Sequence, residues 1–454
     1  MKKTITFLIT FVLVSMHMLQ AQIPNAICNW DNDKKAAVVL TFDDWSPGQC
    51  PIATAELLKR NINGTFFIVT NNVQTWDNCY WPQVIQEVTN GNEIGNHTFT
   101  HPYLSKLNKW AYTPSPLPTG LPYATLTDQL KREIGGAKKT LEQYLVNEPV
   151  LTFAYPFGDY NAQVLDSIKA NGHICARGVT PPTNFTYNFA VNADDYYNLN
   201  TYPMSSSVSL NTYFGQIKNV IAGGGLLTYL YHSLDNGTEY NDNWYSQVQQ
   251  SALQKQLDTL IYVKDKVWIT TLAQAIKYHK EKRCASLFET QSPNGNTWKV
   301  NLTDTLSNNS VYNQPLSIKL KKNGVNYISV IQNGVVLPID LNRNDSIMFR
   351  AVPDGGEITL TTDWVTSTTS QTANANITIS PVPSNGMITI HAAKPIATSS
   401  IAVYDMTGNK LYVKKDVSLY ADLQIDLTPF KEGAYLIYIY EGDTVVVKKV
   451  IRVN

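Results

Sequence analysis

Basic residues are not in surplus. Lysine plus arginine total 36, aspartate plus glutamate total 36, and charged residues fill only 16% of 454 positions. Without a cationic excess the chain has little with which to neutralise phosphates, which argues against a nucleic-acid binder. Low charge is not joined by low hydrophobicity: 43% apolar content supports a sizeable core and excludes wholesale disorder. Cysteine is scarce, with five residues and no C-x-x-C pair, so a cysteine-based zinc site is not expected. The count is odd, leaving at least one thiol unpaired within the chain. Cys28 with Cys284 and Cys50 with Cys79 are candidate pairs, and the sequence does not choose between connectivities. Beyond the first residues, no apolar run reaches the ~18 residues that a membrane-spanning helix needs.

What is present begins with a targeting pattern. Lys2 and Lys3 precede an apolar run from Ile5 to Val14, and Leu19-Gln20-Ala21 has the small-residue character of a cleavage site. Residues 1–21 are therefore expected to be a secretory signal, cut before Gln22. The length is that of about three domains. Aromatics reach 11%, including 26 Tyr and 9 Trp, which suits an extracellular protein that handles sugars.

Residues 22–284 alternate strand-like and helix-like runs. Strands are expected at Ala36–Phe42, Thr65–Val69, Leu151–Ala154, His173–Ala176, Gly225–Tyr231 and Val267–Thr270. Helices are expected at Ala53–Arg60, Trp81–Thr89, Leu126–Leu145, Ala162–Ala170, Trp244–Val263 and Leu272–Glu281. Alternation of this kind predicts parallel strands joined by helical crossovers, in a barrel or an open sheet. After Cys284 the helical period vanishes. Short alternating runs separated by Asn323-Gly324, Asn333-Gly334 and Gly355-Gly356 predict a β-sandwich over 285–365. A Ser/Thr-rich linker (366–376) and a second all-β domain (377–454) follow. Trp298 and Trp364 are the candidate carbohydrate-binding residues of the middle domain, for which a spacer role is equally open.

Four features carry chemistry. Asp43 and Asp44 end the first apolar strand, where adjacent carboxylates either face a site, as at the C-terminal ends of barrel strands, or cap the next helix or start a turn. His97 and His101 stand at i and i+4, a spacing that on a helix would place both imidazoles on one face, where both reach one metal ion. A carboxylate completes a two-His, one-Asp set suited to a divalent metal. His232 ends another apolar strand, where an imidazole can act as a general acid near neutral pH. Tyr155-Pro156-Phe157-Gly158 forms a rigid aromatic turn after a strand and can present backbone N–H groups.

Taken together and in this order, Thr41-Phe42-Asp43-Asp44, Asn63-Gly64-Thr65-Phe66-Phe67, His97 to His101 with Pro102, Ala176-Arg177-Gly178 and Leu230-Tyr231-His232 resemble the polysaccharide deacetylases, the NodB-homology domains of carbohydrate esterase family 4. The resemblance covers roughly residues 35–282. It implies a distorted (β/α) barrel, here followed by two small all-β sandwich domains. It implies that Asp44, His97 and His101 hold a divalent metal, usually zinc in that family. Asp43 is then the base that takes a proton from the attacking water, and His232 protonates the leaving amine. Tyr155, Pro156 and Phe157 line the groove, with the Phe157 N–H assisting the oxyanion. Two departures stand out. The family carries Arg two residues before the Pro, to tether the base, where this chain has Ala154; Arg177 is a candidate substitute. The family's Asp-x-Trp motif is replaced by Asp195-Tyr196-Tyr197, with Asp195 as the partner of the acid.

Ser380 to Gly386, Val403-Tyr404-Asp405-Met406-Thr407-Gly408, Glu432 to Leu436 and the basic close from Lys448 to Arg452 resemble the type IX secretion sorting domains of the Bacteroidetes. That resemblance implies passage through the type IX machinery to a secreted or outer-membrane-surface location, with no membrane span in the mature chain. The expected activity is removal of N-acetyl groups from an amino-sugar polysaccharide. Its rivals are an O-acetyl esterase acting on a polymer such as acetylated xylan, and a non-catalytic glycan-binding protein. Loop lengths around the groove, above all Trp110 to Tyr123, set the choice of polymer.

Overall fold

The computed structural model describes residues 21–453 apart from 24–25, 74, 76–78, 115–116, 182–195, 239, 241, 243, 295–296, 323–326, 343–344, 363–376, 394–395, 407–408, 420–421 and 442–443. The expected signal segment up to residue 20, the linker 366–376, Trp364 and Asp195 lie outside the described residues.

The barrel is built on β1 (Ala36–Asp43), every residue of which is buried. A strand sheathed on both faces needs a nearly continuous apolar sequence, and Ala-Ala-Val-Val-Leu-Thr-Phe supplies one. The remaining strands are β2 (Thr65–Ile68), β3 (Glu93–Asn96), β4 (Thr152–Ala154), β5 (Cys175–Arg177), β6 (Tyr202–Pro203), β7 (Leu226–Tyr231) and β8 (Val267–Thr270). They pair in the order β5-β4-β3-β2-β1-β7-β6, with β8 beside the first half of β1, and every pairing is parallel. A parallel bridge from Arg177 to Leu199, just before β6, joins the two ends of this order into a distorted barrel.

Crossover helices are α1 (Ala55–Arg60), α2 (Trp81–Thr89), α3 (Leu126–Leu130), α4 (Ala137–Tyr144), α5 (Ala162–Ala170), α6 (Leu210–Gly223), α7 (Gln250–Tyr262) and α8 (Leu272–Cys284). A π-helical turn, Lys131–Gly136, joins α3 to α4. Two expectations change. Helix α6 carries no strong sequence signal: its Asn, Thr and Gly residues dilute the helical period. Residues 244–249, expected to be helical, lie outside α7, because Val248–Gln249 instead pairs in parallel with Leu234–Asp235.

The middle sandwich has a six-stranded sheet and a three-stranded one (Leu316–Lys321, Ser346–Ala351, Ile339–Asn342). The N-terminal segment adds to both: Ala21–Gln22 pairs with Ser286–Asn294, and Ile27 bridges to Ile318. Barrel and sandwich share one apolar core that includes Trp30, Tyr278, Leu302, Ile318 and Phe349. Trp30 donates to the carbonyl of Gly224, just before β7, so this junction lies toward the N-terminal ends of the strands. Trp298 is buried at 8% exposure beside Tyr327, and so does not offer the open surface that a sugar-binding role would need. The C-terminal domain has two sheets of three and four strands and a core drawn only from its own residues. Among the described residues no disulfide is formed, so neither candidate cysteine pair is joined. Among the described residues no helix is long and apolar enough to cross a membrane.

Candidate metal centre at the barrel mouth

The C-terminal ends of β1, β3, β4, β5 and β7 deliver the site. Asp43 closes β1 and Asp44 follows it in the left-handed region (φ 75). That turn swings the second carboxylate inward beside the first. Both are buried to 2% exposure.

His97 and His101 do not lie on a helix. They belong to the loop after β3, and Thr98 (φ 71) and His101 (φ 59) adopt left-handed conformations. The expected i, i+4 helical face is replaced by a folded loop that brings the two rings to the same point. Non-glycine residues in this region cost about 1–3 kcal/mol each and persist only where the surroundings fix them.

Here the surroundings are specific. The Asn96 side chain accepts from the Thr98 N–H at 2.9 Å and donates to the carbonyl of Ile134 at 3.0 Å. Glu133, on the π-helical turn, accepts from the Phe99 N–H (2.9 Å), the Thr100 N–H (2.8 Å), the Thr100 hydroxyl (2.6 Å) and the Tyr123 hydroxyl (2.5 Å). Burial pushes the Glu133 carboxyl up, and these donors pull it back.

Three ligand atoms converge. His97 Nε2 and His101 Nε2 are 3.2 Å apart, and Asp44 Oδ1 is 3.4 Å from each. Zinc with four tetrahedral ligands at about 2.0–2.1 Å sets neighbouring ligand atoms about 3.3–3.4 Å apart. The triangle therefore fits one face of such a tetrahedron. His97 Nδ1 lies 2.8 Å from the carbonyl of Ala154. Donating there fixes the tautomer and leaves the Nε2 lone pair for the centre.

The electrostatics agree. Burial alone would raise the Asp44 carboxyl, but His101, His97 and His232 together hold it well below the usual carboxylate range. Burial pushes His101 down to about 4, although Asp44 opposes it. His97 is also depressed by burial, but Asp43 and Asp44 more than reverse this and its pKa is raised.

Asp43 sits alongside. Its Oδ2 is 3.6 Å from His97 Nε2, and its Oδ1 is held by the Arg177 guanidinium. Arg177 is fully buried, 4.9 Å over the Phe67 ring. Gly95 makes room for that ring, since a Cβ there would stand 2.4 Å from it. His232 Nε2 is 4.0 Å from Asp44 Oδ2, and burial lowers its pKa. Its Nδ1 has no hydrogen-bond partner among the described residues. Gln49 ties the two strand ends together, donating to the carbonyls of Asp43 (2.5 Å) and His232 (3.0 Å).

The aromatic turn divides. Tyr155 does not line the groove: its ring is fully buried against Tyr160 and its hydroxyl donates to the carbonyl of Tyr197. Pro156 is also buried beneath the surface. Phe157, 38% exposed with φ 59, faces the site, stacked on Tyr103 and edge-on to His101 at 4.6 Å. The bonds of the turn come from Gly158 and Asp159, so the Phe157 N–H is not used within it. Glu133, Gln49 and Asn96 carried no sequence signal: each is a single polar residue with at least one partner distant in the chain.

A two-histidine, one-carboxylate cluster at the C-terminal mouth of a (β/α) barrel, with a second carboxylate beside it, could hold a divalent metal ion. Residues 31–176 match the polysaccharide deacetylase family, and residues 378–454 match the secretion system C-terminal sorting domain. Each match covers a part of the chain. It is 36% identical over 80 residues to a peptidoglycan-N-acetylglucosamine deacetylase of Bacillus cereus, covering 17% of this chain and 27% of the relative. It is 26% identical over 144 residues to the peptidoglycan-N-acetylmuramic acid deacetylase PdaA of Bacillus subtilis, covering 31% and 46%. The chain thus spans less than half the length of either relative. Among solved structures, the peptidoglycan deacetylase PdaC of Bacillus subtilis aligns with TM-score 0.35 and 19% identity over 56% of this chain and 94% of that one.

Proposed function

We propose that this protein is an exported, metal-dependent deacetylase that removes N-acetyl groups from an amino-sugar polysaccharide. The glycan strand of peptidoglycan is the first substrate to test, because the relatives are named for its two sugars. The observation that carries the reading is the near-equilateral triangle of Asp44 Oδ1, His97 Nε2 and His101 Nε2, with sides of 3.2–3.4 Å.

Asp44, His97 and His101 would hold a divalent cation, with zinc the best match to the ligand set. Such a cation supplies Lewis acidity, which acidifies water and polarises an acyl carbonyl. The protein's own groups do the rest. Asp43, steadied by Arg177, takes a proton from the attacking water at Oδ2. The Phe157 N–H is placed to donate to the developing oxyanion. The water oxygen bonds to the acyl carbon, the C–N bond breaks, and His232 delivers a proton from Nε2 to the departing amine. Acetate and a free amino sugar result. Arg177 stands in for the family arginine, and the sorting domain addresses the chain to the type IX machinery and the cell surface.

The test is acetate release by the mature chain from peptidoglycan, N-acetylglucosamine oligosaccharides and acetylated xylan, with and without zinc, and with Asp43→Asn as control. Zinc-dependent release from the first two, lost in the variant, is expected. Release from xylan alone would make it an O-acetyl esterase. No release and no bound metal would leave a glycan-binding protein.

A further inference from the structure

We propose that Tyr112 and Trp244 form a sugar-stacking site beside His232, holding the pyranose unit next to the one being deacetylated. The proposal rests on the deacetylase reading above and extends it to the choice of polymer.

Large rings are left in water here. Tyr112 is 76% exposed, Tyr245 57% and Trp244 45%. Solitary exposed rings are ordinary, but a contiguous set beside a cluster of titratable groups marks a binding surface. These rings form a chain. Tyr245 is edge-on to His232 at 4.8 Å and 86°, Trp244 is 6.4 Å from Tyr245, and Tyr112 is 6.2 Å from Trp244. The path leads outward from the histidine placed to protonate the leaving group.

The rings come from two separate loops, each fastened next to a site histidine. Trp110, two residues before Tyr112, donates from its indole N–H to the Thr100 hydroxyl at 3.0 Å, beside His101. The Tyr245 N–H donates to the Ser233 hydroxyl at 2.9 Å, and the Ser233 N–H to the Tyr245 carbonyl at 3.2 Å, beside His232. The approach of Tyr112 to Trp244 therefore spans the mouth from two anchored bases. Rings on anchored loops lose little freedom on binding, which favours affinity.

The occupant follows from chemistry. A pyranose offers a face of C–H groups ringed by hydroxyls. An aromatic ring covers the face, while the Tyr hydroxyl and the indole N–H can bond the rim. Tyr112 and Trp244, inclined at 54° with centroids 6.2 Å apart, pack against each other and leave exposed ring surface for a sugar laid across the pair. A polymer with one unit at the metal ligands and its leaving nitrogen toward His232 continues onto that exposed surface.

The experiment uses the mature chain with zinc. Tyr112→Ala and Trp244→Ala are compared with Tyr112→Phe and Trp244→Phe. KM and kcat are measured for an N-acetylglucosamine hexamer and for 4-nitrophenyl acetate, and hexamer affinity is measured by calorimetry. Each alanine variant should raise the hexamer KM and weaken its binding about tenfold. Ester kinetics should stay unchanged, and the phenylalanine variants should retain most of the affinity. Unchanged hexamer KM and affinity would overturn the proposal. So would equal losses on hexamer and ester, which would make the rings part of the reaction pocket. If the wild type releases no acetate, the deacetylase reading fails and calorimetry alone judges the ring pair. Binding weakened by both alanine variants sustains it, and binding they leave unchanged, or none by the wild type, rejects it.

Discussion

Glu133→Ala tests whether the histidine loop is held by its carboxylate cradle. Glu133 accepts from two backbone N–H groups and two hydroxyls, all in the segment 99–100 or at Tyr123. Deleting the carboxylate leaves these donors without a partner. The hydroxyls can turn elsewhere, but the Phe99 and Thr100 amides cannot. An orphaned buried donor costs about 1–3 kcal/mol, so a loss of roughly 3–5 kcal/mol is expected from the two amides and the weakened hydroxyl bonds. The loop carries both His97 and His101 in strained or tightly fixed positions. Loss of groups that orient metal ligands typically costs about 10–100-fold in affinity, and the same range is expected for zinc here. Glu133→Gln should lie much closer to the wild type. Its oxygen can still accept from the amides, while its NH2 donates to the two hydroxyls, which rotate to accept. Zinc affinity by chelator competition and stability by denaturant titration decide the matter. If Glu133→Ala keeps wild-type zinc affinity, the cradle does not hold the loop.

Arg177→Ala should keep its zinc but lose about 100-fold in kcat on an acetylated oligosaccharide, the scale of effect of a displaced catalytic group; unchanged kcat would end the substitute-arginine idea. Asp44→Ala and His101→Ala should each abolish stoichiometric zinc in elemental analysis of the folded protein. The Glu87 carboxyl, buried and bonded by Thr54 and Asn92, is pushed up to about 7. A raised folded value means that its contribution to stability is present below the unfolded value near 4.5 and lost as pH rises through about 7. Glu87→Gln should therefore match the wild type at pH values below that window and be about 3 kcal/mol more stable above it, by denaturant titration at both ends. Truncation after residue 365 should leave a cooperatively unfolding protein, because the C-terminal core is separate. Truncation after 284 should not, because Trp30 and Tyr278 lose the sandwich residues that cover them.

The barrel was legible where one physical signal dominated. Trp81–Thr89, Ala162–Ala170 and Val267–Thr270 have the bounds their periodicity predicts. The strand ends at Asp43 and Tyr231 follow from fully buried apolar runs. Legibility failed where tertiary contacts overrode local preference. The His-x-x-x-His spacing reads as a helix, yet Glu133, distant in sequence, and Asn96, whose amide also reaches the distant Ile134, hold it as a loop. Residues 244–249 read as the start of a helix, yet pairing with 234–235 pulls them out and turns Trp244 and Tyr245 toward the barrel mouth. Tyr155 reads as a groove residue because aromatic turns often are, but its side chain points into the core.

The arginine shows most plainly what one-dimensional reading misses. Ala154 occupies the position where the resemblance places an arginine, and taken alone this looks like a lesion. Ala154 and Arg177 are directly paired across β4 and β5. If Arg177 stands in for it, as proposed above, the guanidinium sits one strand sideways at the same height. From there it still reaches Asp43, while the Ala154 carbonyl remains bonded to His97. A bulky side chain at 154 would crowd a fully buried position between these two jobs. Small residue and displaced arginine are thus one arrangement, and neither is interpretable without the register of two strands more than twenty residues apart.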